Sequence, residues 1–332
     1  MKVFMPRYYR DFQCIASACP DSCCKEWAVD IDAQAADFYR GLDGELGKKL
    51  HSVLKEEDGC TVMSITDGRC PMWREDGLCQ IQAELGHAAL CKTCREFPRL
   101  RHDYGDFMEL GLELSCPEAA RLILAATSSD FLEESTDENQ DAEYDADVMD
   151  TLLRSRDVVL RFLGSGVYPI PQALAIILLY AHDVQAEIDG GLVAEFDPES
   201  CLTDALNYAQ QGNMQSLFAF YRDLEILAPH WAARLDGSPV SHNWKGPYQA
   251  LAIYFVQRYW LQAVADYDLV CRVKFMIAAC LLICGLGGDV VATAQRFSKE
   301  IENDPDNVET ILDGAYSAPA MTDVNLLSLL LG

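Results

Sequence analysis

The sequence predicts a mainly α-helical chain, with a cysteine-rich N-terminal domain (residues 1–127), an acidic linker (128–151) and an irregular α-helical domain (152–332). Three observations predict it. Ten of the 14 cysteines lie between Cys14 and Cys116. Residues 128–151 hold ten acids and no Lys or Arg. Beyond them, apolar residues recur at helical spacing almost to the end.

Within the first part, 33–54 and 80–90 have helical spacing. "TVMSI" at 61–65 reads as a short strand, followed by the turn "TDGRCP". Residues 118–126 read as a helix opened by Pro117 at its first turn. In 128–151 like charges repel and little apolar surface can be buried, so this stretch reads as an exposed linker and a boundary. Helices are expected at 151–163, 171–188, 198–210, 214–235, 244–265, 269–284, 289–303 and 324–330. "CGLGGD", 284–289, reads as a helix–helix turn rather than a nucleotide loop, because no alternating strands surround it.

Half the residues are hydrophobic, enough for a sizeable core. Lys plus Arg is 26 and Asp plus Glu is 52, a net charge of −26. Residues 1–127 hold 15 basic and 21 acidic residues, net −6; the remainder holds 11 and 31, net −20. This balance excludes the basic footprint of a nucleic-acid-binding module. No apolar run reaches the roughly 18–20 residues that cross a bilayer; the longest, 275–286, reads as a buried helix. The start, "MKVFMPRYYRDFQC", lacks the apolar core of a secretory signal. The expectation is a cytoplasmic protein with no membrane insertion and no nucleic-acid partner.

In a reducing cytosol, dense cysteines are more often metal ligands or catalytic groups than disulfides. Cys201, Cys271, Cys280 and Cys284 lie in apolar helical stretches and read as core thiols. The others form two groups: Cys14, Cys19, Cys23 and Cys24, then Cys70, Cys79, Cys91 and Cys94, with Cys116 beyond. Cys60 fits neither. The two-residue gap between Cys91 and Cys94 lets both bend round one metal. The three-residue gap between Cys19 and Cys23 puts both on one face of a turn. Spacing therefore favours Cys19, Cys23, Cys91 and Cys94 as one set. Ligand type alone leaves zinc, an iron–sulfur cluster and free reactive thiols open. His87, four residues before Cys91, and His102, eight after Cys94, are minor metal candidates. "CKTCREFPRLRH" adds Lys92, Arg95, Arg99 and Arg101, which would offset thiolate charge, hold an anionic ligand, or pair with Glu96 and Asp103.

The blocks "FQCIASACPDSCCKEWAVDID", "CPMWREDGLCQIQAELGHAALCKTCREFPR" and "LSCPEAARLIL", with "RYYRDF" ahead of them, resemble the flagellin lysine N-methylases of FliB type. The first two blocks are also similar to a wider family of zinc- or iron-chelating cysteine-cluster proteins. The resemblance covers residues 8–125. It implies S-adenosylmethionine-dependent methylation of lysine amines on flagellin and a cysteine-bound centre, [4Fe–4S] in preference to zinc. By motif position it implies Cys14, Cys19, Cys23, Cys24, Cys70, Cys79, Cys91, Cys94 and Cys116 as candidate ligands. The Cys-x3-Cys-x2-Cys loop of radical enzymes is missing from the sequence. Methylating an amine needs no radical: a neutral amine attacks an electrophilic methyl carbon, given alignment and exclusion of water.

For such chemistry, Tyr8, Tyr9, Trp27 and Trp73 are candidate aromatic contacts for a sulfonium or ammonium. Glu26, Asp30 and Asp32 are candidate bases or ammonium partners. "DIDAQAADFY" also has the form of a capped helix start. Arg95 and Arg99, with Trp27, are candidate contacts for the methyl donor, whose site is expected in the cysteine domain or at its junction with the helices. Two other readings are a non-catalytic zinc-binding scaffold or adaptor, and an iron–sulfur redox sensor.

Overall fold

The computed structural model describes residues 1–57, 59–137, 143–240 and 243–332. Alternating apolar residues at the N-terminus form β1 (Lys2–Pro6), which buries Val3 and Met5. The other described strands are β2 (Val29–Ile31), β3 (Leu54–Glu57), β4 (Cys60–Met63), β5 (Arg99–Asp103), β6 (Phe107–Leu112) and β7 (Phe131–Ser135). One sheet has the order β5-β6-β1-β7, with β1 parallel to β6 and antiparallel to β7. A second has the order β2-β4-β3.

Of these strands the sequence predicts only the fourth. The four-stranded sheet escapes a local pattern because Lys2 pairs with Phe107 on one side and Ser135 on the other. β7 lies inside the expected acidic linker. Its acids suit it to the edge of the sheet, where charge discourages further pairing, while Phe131 is covered by the Arg156 guanidinium, 5.1 Å from its ring centre. Residues 138–142 of that linker lie outside the described residues. Its last part, from Ala146, is already helix: Asp145 caps Ala146–Ser165 by accepting from the N–H groups of Asp147 and Val148.

The chain is mostly helical. The helix expected at 33–54 divides into Ala33–Arg40 and Gly44–Val53. The one expected at 214–235 divides into Met214–Arg222 and Pro229–Leu235, the proline opening the second. "CGLGGD" is the expected helix–helix turn, with Gly287 and Gly288 at φ of +67° and +81°. Pro305–Ser317, capped by Asp304, is a helix the sequence pattern did not reveal. The span expected at 289–303 is α-helical only over Val290–Phe297 and continues as a π-helical turn, Ser298–Glu302. Leu269–Leu286 has the length and apolar character to cross a membrane, longer than the run read from sequence, yet 94% of it is buried inside the protein. Cys271, Cys280 and Cys284 on this helix, and Cys201, are core thiols as expected.

The core does not part at residue 127. Phe12, Phe107, Leu112 and the helix Pro117–Leu124 pack into the same large core as the C-terminal helices. A bidentate pair, Arg156 to Glu109 at 2.6 and 2.8 Å, buries both partners and joins Ala146–Ser165 to β6. Residues from Val29 to Cys91 build a smaller core of their own around Tyr39, Leu50 and Met72.

Asp32 organises that smaller core. One carboxylate oxygen accepts from the Ala35 N–H at 3.0 Å, capping Ala33–Arg40; the other accepts from the Lys92 N–H at 2.7 Å. The Lys92 and Ala35 N–H groups hold the Asp32 carboxyl below its ordinary range. Asp32→Ala should therefore lower stability by about 1–2 kcal/mol in chemical denaturation, and should loosen the segment carrying Cys91 and Cys94.

Candidate functional site

The loop "CPDSCCKEW" (19–27) is folded against the turn at 66–70. The Cys70 N–H donates to the Cys24 carbonyl at 2.7 Å, and the Glu26 N–H to the Gly68 carbonyl at 3.0 Å. Glu26 adopts a left-handed conformation, φ +77°, an unfavourable choice for a side chain with a Cβ and hence one the surroundings must impose. Cys79, Cys91 and Cys116 each occupy the position before a helix, Gln80–Leu85, Lys92–Glu96 and Pro117–Leu124.

Two neighbourhoods of thiols result. In the first, Cys23 and Cys70 lie beside Cys24, which favours the Cys24 thiolate and pushes the other two thiols up; the Cys70 thiol itself donates to Met63 Sδ at 3.6 Å. Cys91 and Cys94 are likewise neighbours, which lowers Cys91 and raises Cys94. Cys94 feels the charges of Cys23 and Cys24, and Cys79 those of Cys24 and Cys91. The second neighbourhood is Cys14, Cys19 and Cys116, where burial pushes the Cys116 thiol up to about 11; it meets the first at Cys23, which also feels Cys14 and Cys116. Of the four cysteines favoured by spacing, Cys23, Cys91 and Cys94 share the first neighbourhood and Cys19 sits in the second. The adjacent pair Cys23 and Cys24 belongs to one thiol cluster. Cys60 is exposed at the start of β4.

Soft donors side by side are the chemistry that thiophilic metals select. The donor type therefore fits zinc or an iron–sulfur centre. The thiols are gathered rather than converged: among the described residues, no three His, Cys, Asp or Glu side chains meet in metal-holding geometry.

Beside the first neighbourhood lies a cavity of about 430 Å³, lined by Cys23, Trp27, Thr93, Cys94, Phe97 and Glu113 on one side and by Leu227, Lys299, Glu300 and Glu302 on the other. The π-helical turn forms its far wall. Such turns shift side-chain register inside a helix and are frequent at functional sites. Here the turn buries Lys299, whose Nζ reaches Asp21 Oδ2 at 3.1 Å and Glu26 Oε2 at 3.2 Å. Lys299 also lies 4.6 Å from the centre of the Trp27 ring. Arg296, one turn earlier, pairs with Glu26 at 2.6 Å and with Glu300. Gln295 donates to the Ser115 carbonyl at 2.7 Å. The helical half thus clamps the cysteine loop, and this clamp supports the left-handed turn at Glu26. Burial alone would raise the carboxyls of Asp21 and Glu26; Lys299, and Arg296 at Glu26, reverse this and hold both below their ordinary values.

The candidates named from sequence are dispersed. Trp27 lines the cavity, with Phe97 at 6.1 Å between ring centres. Glu26 is committed to Arg296 and Lys299. Asp30 is exposed on β2, where its carbonyl accepts from Thr93 at 3.0 Å. Tyr8 is buried elsewhere, its hydroxyl donating to Gln257 at 3.4 Å beside a small cavity of about 30 Å³ that His102 also lines. Tyr9 is half-buried and burial raises it, with Arg99 opposing. Arg99 lies over the Phe12 ring and Arg95 donates to the Leu90 carbonyl at 3.4 Å. Trp73 is flanked by Lys25 and Arg69. Sequence reasoning missed Glu113, Arg296, Lys299, Glu300 and Glu302, because their partners lie up to 278 residues away. The one local trace was the concentration of charge in "AQRFSKEIEND" within an otherwise apolar helical pattern.

Comparison with known proteins finds the flagellar biosynthetic protein FliU of Salmonella muenchen, 33% identical over 126 residues, which span 36% of this chain and 75% of that protein. The chain belongs to the lysine-N-methylase/FliU family. Two lysine-N-methylases of that family, from Salmonella typhimurium (strain LT2) and Salmonella choleraesuis (strain SC-B67), are 33% identical over 138 residues, 40% of this chain. The match spans about a third of their length, 34% of each. No family model and no solved structure matches the chain.

Proposed function

We propose that the protein is an S-adenosylmethionine-dependent protein-lysine N-methyltransferase acting on flagellin in the cytoplasm, with a cysteine-held [4Fe–4S] centre. The likeness to proteins named lysine-N-methylase carries this reading. The cavity beside the thiols supports a location for the chemistry, and 14 unpaired cysteines suit a reducing compartment. The ligands of the centre would come from Cys23, Cys24, Cys70, Cys91 and Cys94, and metal held there would cross-link segments distant in sequence. S-adenosylmethionine, when bound, supplies an electrophilic methyl carbon. The chain must then bind the amine, take its proton and exclude water. Trp27 and Phe97 supply apolar wall, and the buried charges of the π-helical turn hold the opposite wall rigid.

The test is direct. Anaerobically purified, iron-replete protein should transfer methyl groups to lysines of purified flagellin when given S-adenosylmethionine, read by peptide mass spectrometry. Colourless protein containing zinc, with no transfer, would support the scaffold reading instead.

A further inference from the structure

We propose that the cavity of about 430 Å³ seats the alkyl-ammonium side chain of the substrate, with Glu113 as the carboxylate that receives the ammonium and Trp27 and Phe97 as the walls along its stem. This inference rests on the lysine-methylation reading and assigns it a place.

The charges around the cavity single out one acceptor. Four carboxylates line it, Glu113, Glu300, Glu302 and Asp304, against one ammonium, Lys299. Lys299 is spent on Asp21 and Glu26. Glu300 is engaged by Arg296 and accepts from the Leu227 N–H at 2.8 Å. Glu302 accepts from the Tyr254 and Tyr259 hydroxyls at 3.0 and 2.8 Å and pairs with Arg258. Asp304 caps Pro305–Ser317. Glu113 accepts through Oε2 from the Ser115 hydroxyl at 3.0 Å, leaving Oε1 for a ligand. Burial pushes the Glu113 carboxyl up, with Arg258 opposing, and an incoming cation would favour its charged form.

The walls suit a chain with an apolar stem and a cationic tip. The rings of Trp27 and Phe97, 6.1 Å apart, supply the apolar surface. The volume lies within the roughly 300–1,000 Å³ of small-ligand pockets. Cys23, Ala28 and Thr93 at the rim are exposed, so the side chain of a protein substrate can enter.

The test uses the full-length protein and isothermal titration calorimetry with Nα-acetyl-lysine methylamide, with its norleucine counterpart as the neutral isostere. The wild type should bind the amine and not the isostere. Glu113→Gln should weaken amine binding at least about tenfold, the scale of a hydrogen bond to a charged group. Glu113→Asp should recover part of it, and Trp27→Leu should weaken binding of the same probe from the other wall. Circular dichroism confirms that each variant is folded. Equal binding of the isostere, or unchanged amine affinity in both Glu113→Gln and Trp27→Leu, overturns the inference. So does a Glu113→Gln defect confined to S-adenosylmethionine binding, which would give the seat to the sulfonium. The methylation reading is scored separately, by transfer to flagellin with wild-type protein: transfer with Glu113-independent amine binding sinks this inference alone.

Discussion

Lys299→Met will destabilise the protein by about 3 kcal/mol, the low end for removing one partner of a buried ion pair. The low end applies because Asp21 and Glu26 keep 23% and 24% of their side-chain surface exposed. Methionine preserves the stem against Trp27 but leaves Asp21 without its buried cation. Chemical denaturation reads the loss, and proteolysis within 19–27 should accelerate. The pH dependence gives a second signature. Asp21 and Glu26 are held below their ordinary values of 3.8 and 4.5, so their stabilising contribution is complete above about 4.5 and lost as pH falls through the lower folded values. The variant should lose less stability across that acid limb than the wild type. An unchanged acid limb would show that the clamp contributes nothing.

Replacing Cys91 and Cys94 together by serine should remove the proposed metal centre. These thiols are electrostatically interacting neighbours within the first neighbourhood, one at a helix start and one a turn later. Serine oxygens are poor ligands for thiophilic metals. Iron content and visible absorbance should fall more than about tenfold, at least the scale of losing a group that only supports a ligand, and methyl transfer should fall with them. Cys60→Ser is the control: exposed and outside both neighbourhoods, it should change neither. Retention of iron in the double variant would move the ligands to Cys14, Cys19 and Cys116.

Legibility in the sequence followed range. Caps and breakers act within a few residues, so the start at Ala33 behind Asp32 and the helices ending at Ile188 and beginning at Pro198 were readable. Gly41 and Pro229 were visible as residues, but periodicity carried the expected helices across both positions. The sheet was hidden because its central strand takes partners from distant segments. The π-helical turn was hidden because one extra residue per turn barely disturbs a 3.6 period. At the site, cysteine spacing separated the clustered thiols from the core thiols, yet it could not show that Cys24 meets Cys70 while Cys19 turns toward Cys116. Glu26 looked like a base in sequence; in the fold its charge is consumed by Arg296 and Lys299, and Glu113 keeps the open oxygen.

Under the proposed function, an intact methyl group passes by polar transfer from S-adenosylmethionine to a flagellin lysine. The most direct test of this transfer is mass spectrometry of flagellin after incubation with iron-replete protein and methyl-deuterated S-adenosylmethionine. The account predicts lysine nitrogens carrying methyl groups with all their deuterium retained. Unlabelled lysines, or methyl groups that have lost deuterium, would contradict it.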